Sequence, residues 1–166
     1  MLTLVAAGEA WMPFRRSMLE DPATMAYNAL YFPPDGTIPF PEIKWAAWLG
    51  RWTEKEPERF CGYVLDGDTP VGEVCWHGMG DDMGVVIRAD YRGCGYGREA
   101  LALLMARAFS HPEITRLRNT FETDRDPAMQ LHLSMGFIPV GEEDGLTVVE
   151  MTRERYMNRY LTRTGE

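Results

Sequence analysis

The chain has 166 residues, 45% of them hydrophobic, which is enough to enclose one sizeable core. Its formal net charge of -8 argues against a nucleic-acid partner, which would favour a basic patch. No apolar run is long enough for a membrane span, and the N-terminus lacks the basic-then-apolar order of a secretory signal. Cys61, Cys75 and Cys94 are odd in number and show no metal-ligand spacing, so a reducing cytoplasmic setting without a metal is expected.

In chain order, Leu2 to Val5 reads as a short first strand. Residues 9–58 are helical in texture and broken by prolines, with one stripe at Trp11, Phe14, Met18 and Leu19. A second stripe runs through Trp45, Trp48, Leu49 and Trp52. Between them, Tyr31 to Gly36 carries a turn signal. The dense aromatics here have two readings. They pack the helices onto a sheet, or some of them line a substrate pocket with Tyr27 and Asn28.

Strands follow. Phe60 to Leu65 leads through the Asp66-Gly67-Asp68 turn into Pro70 to His77. On that second strand Glu73, Cys75 and His77 share one face, and Gly72, Val74 and Trp76 the other. A turn over residues 78–82 introduces the β-branched run Val85-Val86-Ile87. Three glycines then alternate in Tyr91-Arg92-Gly93-Cys94-Gly95-Tyr96-Gly97, and a helix from Arg98 to Phe109 buries Leu101, Leu104, Met105 and Ala108. Leu117 to Glu122 alternates as a strand. Asp126-Pro127 starts a helix that stops at Gly136, because an aspartate cap followed by proline suits a first turn. A hairpin, Phe137 to Val140 and Leu146 to Met151, closes the pattern, with a charged short helix or tail behind it. No repeat or linker interrupts the chain, so residues 1–166 are read as a single domain.

The strand, glycine turn and helix centred on residues 85–98 form an anion site. First-turn amides lack intrahelical acceptors and carry the positive end of the helix dipole, and glycines let a phosphate approach the backbone. A dinucleotide fingerprint would put the third glycine one residue later, and a Walker A loop would need a lysine.

Tyr-Arg-Gly-x-Gly-x-Gly after a hydrophobic strand resembles the pyrophosphate loop of the GNAT superfamily of acyl-CoA-dependent N-acetyltransferases. Ala128, Leu131, His132, Gly136 and Phe137 form a second signature similar to that family's. The resemblance implies an α/β (α+β) fold: a mixed, mostly antiparallel central sheet of six to seven strands flanked by helices. It also implies acetyl-CoA as co-substrate and transfer of its acetyl group to a primary amine of a small molecule or peptide by direct attack. A homodimer is common in the family.

Cofactor binding is expected at Val85, Val86, Ile87, Arg92, Gly93, Cys94, Gly95, Tyr96, Gly97 and Arg98, with Cys94 only a spacer. A backbone donor near Ile87 would face the thioester carbonyl. Three acidic residues are candidate bases: Glu73, which breaks an apolar strand, and Asp82 and Glu122. Each also reads as a solvated strand or turn residue. Where the family carries a tyrosine that serves the departing sulfur, this chain has His132, which reads either as that donor or as a core histidine. Where the family carries an asparagine, this chain has Arg125. A non-catalytic acyl-CoA-binding sensor or regulatory module of the same fold is the alternative reading.

Overall fold

In a computed structural model, which describes residues 1–124 and 126–162, seven strands form two antiparallel sheets. Strands β1 (Leu2–Ala6), β2 (Phe60–Asp66), β3 (Thr69–His77) and β4 (Asp82–Ile87) lie in that order. Strands β5 (Arg116–Phe121), β6 (Ile138–Glu143) and β7 (Leu146–Thr152) form the second sheet in the order β5-β7-β6. The strand count meets the expectation, and the partition into four and three adds to it. The β4 strand also begins three residues earlier than its β-branched run suggests. Arg125, the departure from the family pattern, lies outside the described residues.

Helices α1 (Met12–Leu19), α2 (Pro22–Met25) and α3 (Trp45–Trp52) precede β2. Helix α4 (Tyr96–Phe109) joins the two sheets, α5 (Pro127–Ser134) joins β5 to β6, and α6 (Arg153–Tyr156) follows β7. Pro13, Pro22 and Pro127 each sit in a first turn, where proline's missing N–H costs nothing. Asp126 caps α5 by accepting from the Ala128 amide at 2.8 Å.

Period-two alternation divides the side chains of the first sheet between two cores. Val64, Val74, Trp76 and Met83 pack with Leu101, Leu104, Met105 and Ala108 of α4. Cys61, Tyr63 and Leu65 face the other way, against Met12 and Met18 of α1, Trp48 of α3, and Phe40 from the segment before α3. Burying each large apolar side chain contributes about 1.5–3 kcal/mol, so both layers stabilise the sheet between them. The stripes of the first helices are therefore packing surfaces in the main, as the bland reading of the aromatics had it. Tyr27 and Tyr31 remain exposed.

The sheets meet where β4 and β5 begin. A Cβ on Gly80 (φ +100) would stand 2.3 Å from the Arg116 carbonyl oxygen, and Arg116 pairs with Asp81 at 3.1 Å. Among the described residues no ladder joins β4 to β5, so β4 keeps an edge without a partner strand.

Candidate active site

The register of β3 on β4 decides which backbone groups that edge offers. Arg88 N–H donates to the Val71 carbonyl at 2.9 Å, and Gly72 lies opposite Ile87, Glu73 opposite Val86 and Val74 opposite Val85. Hydrogen-bonded pairs alternate in an antiparallel ladder, so Val86 bonds to β3 while the N–H groups of Val85 and Ile87 point to the open edge. This puts a donor at the position the resemblance assigns to Ile87.

The chain then enters the glycine loop. Gly93 and Gly95 both adopt φ +80, the left-handed region that glycine enters freely, and Gly95 is the residue before α4. A Cβ at either would touch nothing within 4 Å, so the requirement is conformational. Gly97 differs: its Cβ would meet Leu131 Cδ2 at 3.2 Å, so glycine there lets α4 approach α5. Among the described residues no backbone acceptor faces the amides of residues 93–98. These orphaned donors at the positive end of a 14-residue helix fit a diphosphate.

The loop is held from behind. The Arg92 fork donates to the Ile87 carbonyl at 3.0 Å and to the Thr24 carbonyl at 2.9 Å, so it fastens the loop to the end of α2. Buried Thr24 accepts from the Ala89 amide at 3.0 Å, and its hydroxyl donates to Asp21. That hydroxyl, followed by the backbone amides of Ala23 and Thr24, holds the Asp21 carboxyl below its ordinary value. The Tyr96 hydroxyl donates to Asp66 at 2.5 Å, and Arg98 donates to Ser134 at 3.1 Å. Cys94 is exposed beside them. Sequence reading placed Arg92 with the ligand; its guanidinium is occupied by carbonyl oxygens.

On the α1 face of the sheet, Glu73 stands opposite Val86, one strand in from the edge. Its carboxylate pairs with Arg15, and both side chains are nearly enclosed, at 12% and 13% exposure. Tyr63 lies directly across β2 from Glu73, and its buried hydroxyl stands beside the carboxylate without a hydrogen bond of good geometry. Tyr27 is 60% exposed. Desolvation first, then Glu73, push its phenol upward, while Arg92 and Arg15 oppose this.

The other candidates lie elsewhere. Asn28 donates to the Gly36 carbonyl at 3.2 Å and so closes the turn that carries Tyr27. Asp82 pairs with His77 at 3.0 Å at the far end of β4, about 16 Å from Ile87 by strand rise. Glu122 is exposed beyond the end of β5.

His132 is 1% exposed, with ring contacts to Phe121 and Phe137. Its Nδ1–H donates to the Ala128 carbonyl at 2.7 Å, and its Nε2 accepts from the Asn119 amide at 3.2 Å. Where the resemblance puts a donor to sulfur, the structure uses both nitrogens internally. Burial holds this imidazole below its ordinary 6.5, with the Ala128 carbonyl and Asp126 pulling the other way. A folded value below the unfolded one means the unfolded chain takes the proton first. The stabilisation is therefore full above 6.5 and is lost as the pH falls below it. Lowering the pH from about 7.5 to about 5.5 is expected to lower the thermal midpoint, and His132→Asn to flatten that dependence. An unflattened slope together with lost turnover would return the ring to the chemistry.

Arg15 and Tyr63 were not singled out from the sequence. The signal for Arg15 was there: it falls four residues after Trp11 and three before Met18, a charge within an apolar stripe.

This fold matches solved acetyltransferases. The spermidine N-acetyltransferase of Vibrio cholerae, solved with CoA and spermine, superposes with a TM-score of 0.77 at 15% identity, over 95% of this chain and 98% of that one. A putative acetyltransferase from Acinetobacter baylyi gives 0.71 at 20% identity, over 92% and 93%. The sequence profile of the Acetyltransferase (GNAT) family matches residues 21–137, and the chain belongs to that family. A sequence comparison with curated proteins finds no match. Among the described residues no helix is long and apolar enough to cross a membrane, and among them no group of three or more His, Cys, Asp or Glu is placed to hold a metal ion.

Proposed function

We propose that this chain is an acetyl-CoA-dependent N-acetyltransferase acting on a primary amine of a small molecule or peptide. The observation that carries the reading is a continuity along one strand and loop. The outward N–H groups of Val85 and Ile87 run into the unsatisfied amides of residues 93–98, and Glu73 stands one strand away.

Acetyl-CoA supplies the activated acyl group. Residues 93–98 hold its diphosphate through backbone N–H groups, with Arg92 fixing the loop from behind. Ile87 N–H donates to the thioester oxygen and strengthens that bond as negative charge develops there. An alkylammonium has a pKa near 10, so its lone pair must be exposed before it can attack. Glu73 takes that proton, directly or through one water. The amine nitrogen then forms the N–C bond, the C–S bond breaks with its electron pair leaving on sulfur, and the second nitrogen proton passes through solvent to the departing thiolate. His132 stays within the core.

A thiol-release assay with spermidine, spermine, aminoglycosides, amino acids and short peptides tests this. Polyamines lead the panel because the Vibrio cholerae relative was solved with spermine. Thiol release that requires amine supports the reading. Saturable acetyl-CoA binding without release from any amine overturns it in favour of a non-catalytic sensor or regulatory module, the reading that the committed nitrogens of His132 keep in view.

A further inference from the structure

Glu73 faces charged or titratable groups from four elements. Helix α1 contributes Arg15, the turn after α2 contributes Tyr27, β2 contributes Cys61 and Tyr63, and β3 contributes Cys75. Helix α3 adds Trp48 and β4 adds Val86, which carry no charge. Cys61, Tyr63 and Tyr27 are all pushed above their ordinary values, by burial first and by Glu73 second, and Cys75 is pushed by the same causes up to about 12. They are neutral at ordinary pH and bring no charge to balance the carboxylate. Arg15 is the one cation in direct contact with it among the described residues.

The cation is itself held in place. The Arg15 guanidinium lies 4.1 Å from the Trp48 ring centroid and 5.1 Å from that of Phe40. Trp48 is braced edge-on by Phe40 and stacked on Trp52 at 5.9 Å. The buried Nε of Arg15 makes no hydrogen bond among the described residues, so one end of the fork rests on aromatic faces and the other on Glu73. Burial alone would lower the guanidinium's pKa; the charge and hydrogen bond of Glu73 more than reverse this. Helix α1 thus delivers a fixed positive charge to the floor of the candidate site.

We propose that Arg15, stacked on Trp48 and Phe40, is a positioning residue that keeps the Glu73 carboxylate charged. This rests on the reading of Glu73 as the proton acceptor. It adds a specific dependence: the pH at which the site becomes competent is set by an arginine that touches neither substrate nor coenzyme.

The test is the pH profile of kcat/KM for the wild type, Arg15→Met, Arg15→Lys and Trp48→Leu, with acetyl-CoA affinity and thermal unfolding measured on each protein. Substrate ammonium titration is common to all four and cancels in the comparison. Removing the neighbouring cation disfavours the charged carboxylate, so the acidic limb for Arg15→Met is expected to move up by about one to three pH units. Activity at the alkaline plateau and acetyl-CoA affinity are expected to stay near wild type. Arg15→Lys keeps a charge without the planar stack and is expected to restore most of the shift. Trp48→Leu keeps the ion pair and loosens its support, so it tests the proposal even where Arg15→Met does not fold; its limb is expected to move the same way by less.

Folded variants with lower stability but an unmoved acidic limb would overturn the proposal and leave Arg15 as packing. Wild-type turnover in Glu73→Gln would overturn the proton-acceptor reading on which it rests. Lost turnover in Glu73→Gln with unmoved limbs in the Arg15 and Trp48 variants would overturn the role of Arg15 alone.

Discussion

Gly95→Val is expected to weaken acetyl-CoA binding by about 10- to 100-fold, the loss of one charge-assisted hydrogen bond worth about 1.5–3 kcal/mol. The reason is conformational. Gly95 sits at φ +80 immediately before α4, and a β-branched residue there costs about 1–2 kcal/mol or forces the loop to another conformation. A Cβ at this position meets nothing within 4 Å, so the expected cost lies in the backbone conformation. Calorimetric titration with acetyl-CoA, alongside thermal unfolding, separates the two effects. Wild-type affinity in a folded Gly95→Val protein would mean that these amides do not carry the coenzyme. Gly97→Ala is a useful comparison, because its effect would come from crowding against Leu131 and not from the helix-end conformation.

Glu73→Gln is expected to lower kcat by about 10²- to 10⁴-fold, the usual contribution of one proton-transfer group, with acetyl-CoA affinity unchanged. The substitution also leaves Arg15 without its counter-ion. Breaking an enclosed pair in this way costs about 3–5 kcal/mol, less here because the glutamine oxygen still accepts from the guanidinium. Turnover must therefore be read beside the thermal midpoint and the acetyl-CoA titration. A folded, coenzyme-binding Glu73→Gln enzyme with near-native kcat would pass the role to another group or to solvent.

What the sequence made legible follows from how local each signal is. The passage from β4 through the glycine loop into α4 is written in adjacent residues, and its elements appear in the expected order, with β4 starting three residues and α4 two residues earlier than read. So is the start of α5, where Asp126 and Pro127 act on the first turn they belong to. The alternation on β3 placed Glu73, Cys75 and His77 on one face, because a strand has no other period.

Pairings across the chain were not legible. Arg15 and Glu73 are 58 residues apart, and no local pattern says that a charge in the α1 stripe meets a charge on β3. The division of seven strands into four and three depends on a ladder that fails to form between β4 and β5. His132 could be placed on the apolar side of its helix. That Asn119, 13 residues earlier on β5, would use the remaining nitrogen could not. Arg92 belonged to the anion motif by composition, yet Thr24, 68 residues away, holds its guanidinium.

The central claim is that amides freed at the start of α4 and along the β4 edge hold the coenzyme. An amide NMR titration of isotopically labelled protein with acetyl-CoA tests it residue by residue. The account predicts saturable shifts that are largest at Gly93, Gly95, Tyr96 and Gly97, with Ile87 following only when the ligand carries its acetyl thioester. Saturation with those amides unmoved, or with the largest shifts at residues remote from β4 and α4, would contradict it.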